Sequence, residues 1–275
     1  MPLTALRPKR SLGQNFLHDE NISRKIINSI SPQPSDVMVE IGPGKGALTK
    51  YLAGRVKNLI VVEIDDRMIH VLREYTGDVT GEPGTTILHA DFLETDLSEI
   101  ARQIGQRLRI VGNVPYHITS PILFHVLDYR GAVIDLTIMI QKEVARRIVA
   151  QPGTKDYGIL SVFCQLFTDP KVLFDVSPNA FTPRPKVTSS VVQFHILEAP
   201  RYPIVDERFL RMVIRGVFGK RRKTLRNSLG YLFENGLPAD LPDVDLMRRP
   251  EDLSIVELVN LANKLCSPSQ GEISP

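Results

Sequence analysis

From about residue 20 to 150, short β-rich runs alternate with segments of helical period, and this alternation constrains the fold more than any other feature of the chain. Asn21 to Ile30 has the spacing of a helix, ended by the Pro32-Gln33-Pro34 breaker. Val37 to Ile41 reads as a strand running into glycines, with a helix from Ala47 to Ala53 behind it. Asn58 to Ile64 reads as a second strand, and Asp65-Asp66 opens a helix through Tyr75. Thr85 to His89, Leu108 to Gly112 and Ala132 to Ile140 are further strands, separated by helical stretches at Leu97 to Ile104 and Pro121 to Leu127. Such alternation means βαβ units and an α/β fold around a mostly parallel sheet with both faces covered. Lys171 to Val176 and Lys186 to Leu197 are instead joined by a proline-rich loop, which predicts an antiparallel pair at the sheet's edge. Beyond Pro200 and Pro203 the chain turns helical. The expected division is residues 1–200 as one domain and 201–275 as a small all-helical second.

In a parallel sheet, ligands sit at the carboxyl ends of the strands, so the residues there matter most. The first strong strand ends in Glu40-Ile41-Gly42-Pro43-Gly44-Lys45-Gly46. Glycines at this point let a ligand approach the backbone and let the chain turn sharply into a helix. The spacing is G-x-G-x-G, which departs from the dinucleotide fingerprint and argues against a nicotinamide dehydrogenase. Glu63 closes the next strand, about 20 residues after the first glycine, where an acid can accept from both hydroxyls of a ribose. Asp91 follows the third strand and is placed to accept from an adenine amine. After the fourth come Asn113-Val114-Pro115-Tyr116. An amide oxygen there can accept from a flat, weakly nucleophilic amino group while a carbon is delivered to it, and a tyrosine ring can stack on the base that carries it.

Composition narrows the setting. Hydrophobic residues make up 43% of the 275 and charged residues 24%, enough for a sizeable core, and a net charge of +3 selects no partner by itself. Charge is instead concentrated. Arg208, Arg211, Arg215, Lys220, Arg221, Arg222, Lys223 and Arg226 fall in one stretch without an acid, and Arg7-Lys9-Arg10 forms a second cluster. The first three recur at helical spacing opposite Leu210, Val213, Ile214 and Val217, which predicts a helix with one cationic face suited to RNA phosphates. Cys164 and Cys266 form no CxxC, and the six histidines lack zinc-ligand spacing, so a reduced, intracellular, metal-free protein is expected. Met1 to Phe16 lacks a signal-peptide core, and no run approaches the roughly 18 apolar residues of a membrane helix. A cytoplasmic location without membrane contact is therefore the expectation.

The G-x-G-x-G, the paired acids and the Asn-x-Pro-Tyr together resemble a class I S-adenosylmethionine-dependent methyltransferase acting on an amino nitrogen. Three further segments tighten the likeness to the ribosomal RNA adenine dimethylase family, closest to its KsgA-type small-subunit (16S) branch. They are Lys9 to Leu17, Phe181-Thr182-Pro183-Arg184-Pro185-Lys186-Val187-Thr188-Ser189, and the basic run Arg221 to Leu229. Val114 stands where leucine is usual, and Leu12 where phenylalanine is common. The resemblance implies a Rossmann-like methyltransferase sheet with an antiparallel edge and an S-adenosylmethionine donor. It implies that Asn15 and Leu17 close over the donor, Gly42 lies against its amino-acid portion, Glu63 holds its ribose and Asp91 its adenine amine. Asn113 would contact donor and substrate, and Tyr116 and Phe181 would sandwich a flipped-out adenine. Arg221, Arg222, Lys223 and Arg226 would meet 16S rRNA in a small ribosomal subunit or its precursor, with the protein acting as a monomer in subunit biogenesis. Two alternatives share the fold: a large-subunit rRNA dimethylase conferring macrolide resistance, and a non-catalytic RNA-binding assembly or transcription factor.

Overall fold

The structure, a computed structural model, describes residues 8–9, 12–76, 84–220, 223–233 and 244–266. By internal contacts the chain divides into two compact units, Met1–Ala145 with Asp169–Glu198, and Arg146–Thr168 with Ala199–Pro275. The second unit thus takes a stretch from the middle of the chain as well as the residues after the expected boundary near 200.

In the first unit the strands are β1 (Phe16–Leu17), β2 (Val37–Ile41), β3 (Asn58–Glu63), β4 (Thr85–His89), β5 (Leu108–Asn113), β6 (Val133–Gln141), β7 (Thr168–Val176), β8 (Phe181–Thr182) and β9 (Ser189–Ile196). Seven form one sheet in the order β4-β3-β2-β5-β6-β9-β7. The pairs β3–β4, β2–β3, β2–β5 and β5–β6 are parallel, and β9 runs antiparallel to β6. The order reverses at β2, with β3 on one side and β5 on the other, so the crevice of an open α/β sheet opens above the carboxyl ends of these strands. The helices α1 (Glu20–Ile30), α2 (Thr49–Leu52), α3 (Asp66–Thr76), α4 (Leu97–Ile104) and α5 (Thr119–Asp128) lie between the strands, as the alternation predicts.

Local chemistry fixes these boundaries. Asp19 caps α1 by accepting from the backbone N–H groups of Asn21 (2.9 Å) and Ile22 (3.2 Å), and Asp96 caps α4 through Glu99 N at 2.9 Å. Every residue of β2 is buried, as a central strand covered on both faces requires. Ile26, Ile27 and Ile30 of α1 and Leu52 of α2 pack with Met38, Leu59, Val61, Val111, Met139 and Val191, one row of side chains running across the sheet. The remaining two strands, β1 and β8, form a separate antiparallel pair in which Phe16 faces Thr182 and Leu17 faces Phe181.

The second unit is helical. After α6 (Lys142–Ile148), which runs across the division, it contains α7 (Ile159–Phe167), α8 (Glu207–Gly219), α9 (Leu225–Gly230) and α10 (Ile255–Cys266). The buried side of α8 is Leu210, Val213, Ile214, Val217 and Phe218. No helix among the described residues is long and apolar enough to cross a membrane.

Candidate active site

A cleft opens at the carboxyl rim of the sheet, and Asn15, Leu17, Gly42, Glu63, Asp91, Asn113 and Tyr116 all line it. The glycine turn after β2 shapes one wall. Gly42 and Gly44 have φ of 56° and 55°, backbone conformations that side chains disfavour. A Cβ on Gly42 would meet nothing within 4 Å, so the backbone there faces open space, whereas one on Gly44 would lie 3.0 Å from the Phe16 ring.

Two buried carboxylates sit behind this turn. Glu63 is 4% exposed and accepts from Gly44 N (3.2 Å) and Asp65 N (2.8 Å). Burial raises its pKa above the usual carboxylate range. Glu40 is 1% exposed, accepts from Thr49 Oγ1 at 2.7 Å, and is pushed by burial to about 7. Among the described residues, neither has an ion-pair partner. Next to Glu63, the side chain of Ile64 lines the cleft and is 51% exposed, an apolar face left open to a ligand. Asp91 accepts from Leu93 N at 2.8 Å through one carboxylate oxygen, which fixes the side chain and leaves its second oxygen for another donor.

The opposite wall comes from β5. Asn113 ends that strand, and its Nδ2 donates to the backbone carbonyl of Asn15 at 3.0 Å. A carbonyl can only accept, so the amide must turn its NH₂ end toward Asn15, and Oδ1 has no hydrogen-bond partner among the described residues. Asn15 is itself held, its Nδ2 donating to Gly13 O at 3.2 Å. Tyr116 follows two residues after the buried Val114, and its hydroxyl shares a 2.6 Å hydrogen bond with Ser189 Oγ. Burial raises the Tyr116 phenol pKa, so it stays protonated at neutral pH.

The segment leading into β1 is fastened beside the cleft. The carboxylate of Asp65, with no side-chain exposure, pairs with Arg67 at 2.5 Å, accepts from Gln14 Nε2 at 2.9 Å and pairs with Lys9 at 3.0 Å. These donors, Arg67 foremost, hold its pKa well below the usual carboxylate range. Lys45 Nζ stands 5.2 Å from the centroid of the Phe16 ring, adding a cation–π contact to the same wall.

Phe181 is the candidate residue that the structure does not bring to the cleft. It is 3% exposed, packs in the core cluster with Leu17, Met139, Val176 and Val191, and does not line the opening. Phe181 is paired with Leu17 across β8 and β1; Leu17 reaches the cleft, and Phe181 packs in the core behind it. Glu40 and Ile64 are lining residues that the sequence reading did not single out. The available signal was an acid at the end of an apolar strand, and an isoleucine directly after Glu63.

On the helical unit, Lys223 and Arg226 are exposed, while Arg221, Arg222, Arg7 and Arg10 lie outside the described residues. The continuous cationic face expected on α8 is interrupted. Arg211 donates to Glu207 Oε1 from Nε (3.1 Å) and Nη2 (2.9 Å) and covers the Phe163 ring at 5.7 Å, which leaves its side chain only 18% exposed. No group of three or more potential metal-ligating side chains occurs among the described residues.

Known proteins resemble this chain along most of its length. The model of a family described as ribosomal RNA adenine dimethylase matches residues 5–265. A ribosomal RNA small subunit methyltransferase A of Erwinia tasmaniensis is 42% identical over 262 residues, covering 95% of this chain and 94% of that protein. One from Acinetobacter baylyi is 44% identical, covering 96% and 97%. Among solved structures, a dimethyladenosine transferase from Plasmodium falciparum superposes with a TM-score of 0.74 at 24% identity, covering 90% of this chain and 95% of that one.

Proposed function

The chain belongs to the ribosomal RNA adenine dimethylase family, and from that premise we propose that it dimethylates N6 of two adjacent adenines in the 3′-terminal hairpin loop of small-subunit rRNA during subunit biogenesis. One observation carries the reading: the Asn113 amide is oriented by the Asn15 carbonyl, so that an acceptor oxygen is left over at the mouth of the cleft.

The cleft fits the methyl donor S-adenosylmethionine. Open space in front of Gly42 suits a group lying against the backbone, and the buried, cation-free Glu63 suits ribose hydroxyls, which can donate to it. The second oxygen of Asp91 suits an amine, and the exposed Ile64 suits the flat face of a purine. Asn15 and Leu17, on the fastened N-terminal segment, complete the enclosure. When bound, the donor supplies an electrophilic methyl group on a sulfonium.

The residues of the chain do the rest. Asn113 Oδ1 accepts an N–H of the target amine and stabilises the positive charge that grows on nitrogen as its lone pair becomes available. No strong base is required, because the proton becomes acidic as the nitrogen is alkylated and can leave to solvent. Tyr116, neutral and tied to Ser189, acts through its ring by stacking on the extruded base. Phe181 acts through Leu17, backing the wall against which the base and donor rest. After one methylation the amine keeps a single N–H, and Val114 borders the space where the first methyl must sit.

The test is transfer of labelled methyl groups from S-adenosylmethionine to small subunits prepared from unmethylated cells, followed by location of the modified nucleotides. Label on N6 of two neighbouring adenines near the 3′ end is the expected result. Label on large-subunit RNA, or none on either subunit, overturns the reading.

A further inference from the structure

The residues around Tyr231 of the helical unit form a second, smaller feature. Its neighbours in sequence are anchors. Leu232 lies so close to α8 that a Cβ on Gly216 would come within 2.4 Å of its side chain, and the ring of Phe233 meets that of Phe209 at 6.3 Å between centroids. Backbone bonds from Leu232 N (2.8 Å) and Phe233 N (3.2 Å) to Leu229 O fix the turn that carries them. Tyr231, held at this turn, remains 64% exposed. It lines a groove with Lys223, Arg226, Asn227 and Gly230, and Lys220 Nζ lies 5.0 Å from the centroid of its ring. The floor is braced, since Leu225 N and Arg226 N donate to Arg248 O (2.8 Å) and Leu246 O (2.9 Å).

An exposed aromatic face among cations, in a groove whose described lining holds no carboxylate, combines the two things an unpaired nucleotide offers: a flat π surface and a phosphate. An acidic protein segment would satisfy the cations but would leave the ring without an apolar partner. We propose that this groove is a nucleotide-binding subsite separate from the cleft, in which one unpaired base of the RNA stacks on Tyr231 while its flanking phosphates meet Lys223 and Arg226. The inference rests on the RNA-directed reading above and adds to it a single-stranded contact outside the nucleotide that is methylated. Asn227 is placed to hydrogen-bond the base edge or the sugar.

The chain contains no tryptophan, so Tyr231→Trp introduces a single indole at the proposed stacking face, which can be excited selectively beyond the absorption of the tyrosines. Titration of this variant with a single-stranded RNA oligonucleotide should quench its emission, and a perfect duplex of the same length should bind without quenching. Tyr231→Ala should weaken single-strand binding by about 5- to 160-fold, the range base–aromatic stacking gives, with an unchanged salt slope. Arg226→Gln should instead lower the salt slope by about 1. Tyr231→Phe should bind as the wild type does. Unchanged tryptophan emission on RNA binding, or wild-type affinity in Tyr231→Ala, overturns the subsite; so does a response to intact subunits but not to naked RNA, which would assign the groove to a protein partner. Failure of the larger reading looks different: the unmodified protein would then transfer no methyl group to small-subunit RNA, whatever stands at position 231.

Discussion

The two ends of strand β5 handle buried polar groups in opposite ways. At the amino end, Arg109 is 9% exposed and fully engaged. It donates to Asp135 (2.8 to 3.2 Å), to Asp36 at 2.6 Å and to the carbonyl of Ile30 at 2.8 Å. At the carboxyl rim, Glu40 of β2 and Glu63 of β3 are buried and hydrogen-bonded but have no cation among the described residues, and Asn113 Oδ1 has no hydrogen-bond partner among them. A network whose members are all satisfied fastens α1, β5 and β6 together. Carboxylates buried without a countercharge, and an amide oxygen held rigidly without a donor, destabilise the protein alone and favour a ligand that brings donors. In this sheet, then, the presence or absence of a countercharge separates scaffold from site more sharply than burial does.

Cutting the satisfied end should produce the largest effect. Arg109→Met leaves Asp36 and Asp135 with an uncompensated negative charge inside the protein, and unfolding stability should fall by about 3–5 kcal/mol. Urea denaturation measures this, and methyl transfer per folded molecule should be unchanged. A loss below 1 kcal/mol would show that the network is not what holds that end together. Phe181→Ala asks on which side of the comparison that residue falls. If its ring is wall rather than base platform, the variant should lose about 3–5 kcal/mol of stability, as truncation of a buried Phe does. A variant of native stability that no longer methylates would instead move Phe181 to the substrate side.

Phe181 also marks where the sequence stops being legible. The strands Val37–Ile41, Asn58–Glu63 and Thr85–His89 were readable because apolar β-branched runs, glycine turns and capping acids all agree there. Asn113, Asp91 and Glu63 were readable because a parallel sheet delivers its strand tips to one crevice. The β1–β8 pair was not. It joins two dipeptides more than 160 residues apart, too short for any periodicity, and the core residues around it enclose the Phe181 ring. Arg211 was misjudged for a different reason. Glu207, one helical turn earlier, lies just before the acid-free stretch, and the ion pair between them takes Arg211 off the cationic face. Glu40 was legible only as an acid two residues before the glycine turn, since nothing in its neighbours reveals that Thr49 and the sheet enclose it.

At the unsatisfied end, Asn113→Ala should lower methyl transfer by about 10²–10³-fold, the cost of removing one preorganised acceptor. RNA affinity should stay close to wild type, and stability should fall by only about 0.5–1.5 kcal/mol, the worth of the Nδ2 hydrogen bond to the Asn15 carbonyl that is lost. Single-turnover rates with saturating donor and subunits separate these effects. A variant that turns over normally would remove Asn113 from the chemistry and leave the comparison without its functional side.

The smallest effect in this series is the stability change on neutralising Glu40, and its pH dependence makes it the most specific. Burial raises this carboxyl from the usual 4.5 to about 7 in the folded protein. Between those values the folded state holds a proton that the unfolded state has released, so stability falls as pH rises through that window and levels off above it. Glu40→Gln removes the titration while keeping an oxygen for Thr49. The variant should therefore match the wild type near pH 4.5, gain on it steadily to about pH 7, and remain ahead by about 3 kcal/mol beyond. Urea unfolding of both proteins at intervals across that range measures the difference. Parallel profiles would mean that the glutamate is already compensated in the free protein. The carboxyl rim would then resemble the Arg109 end after all, and the groups that distinguish the site would reduce to the cation-free Glu63 and the open oxygen of Asn113.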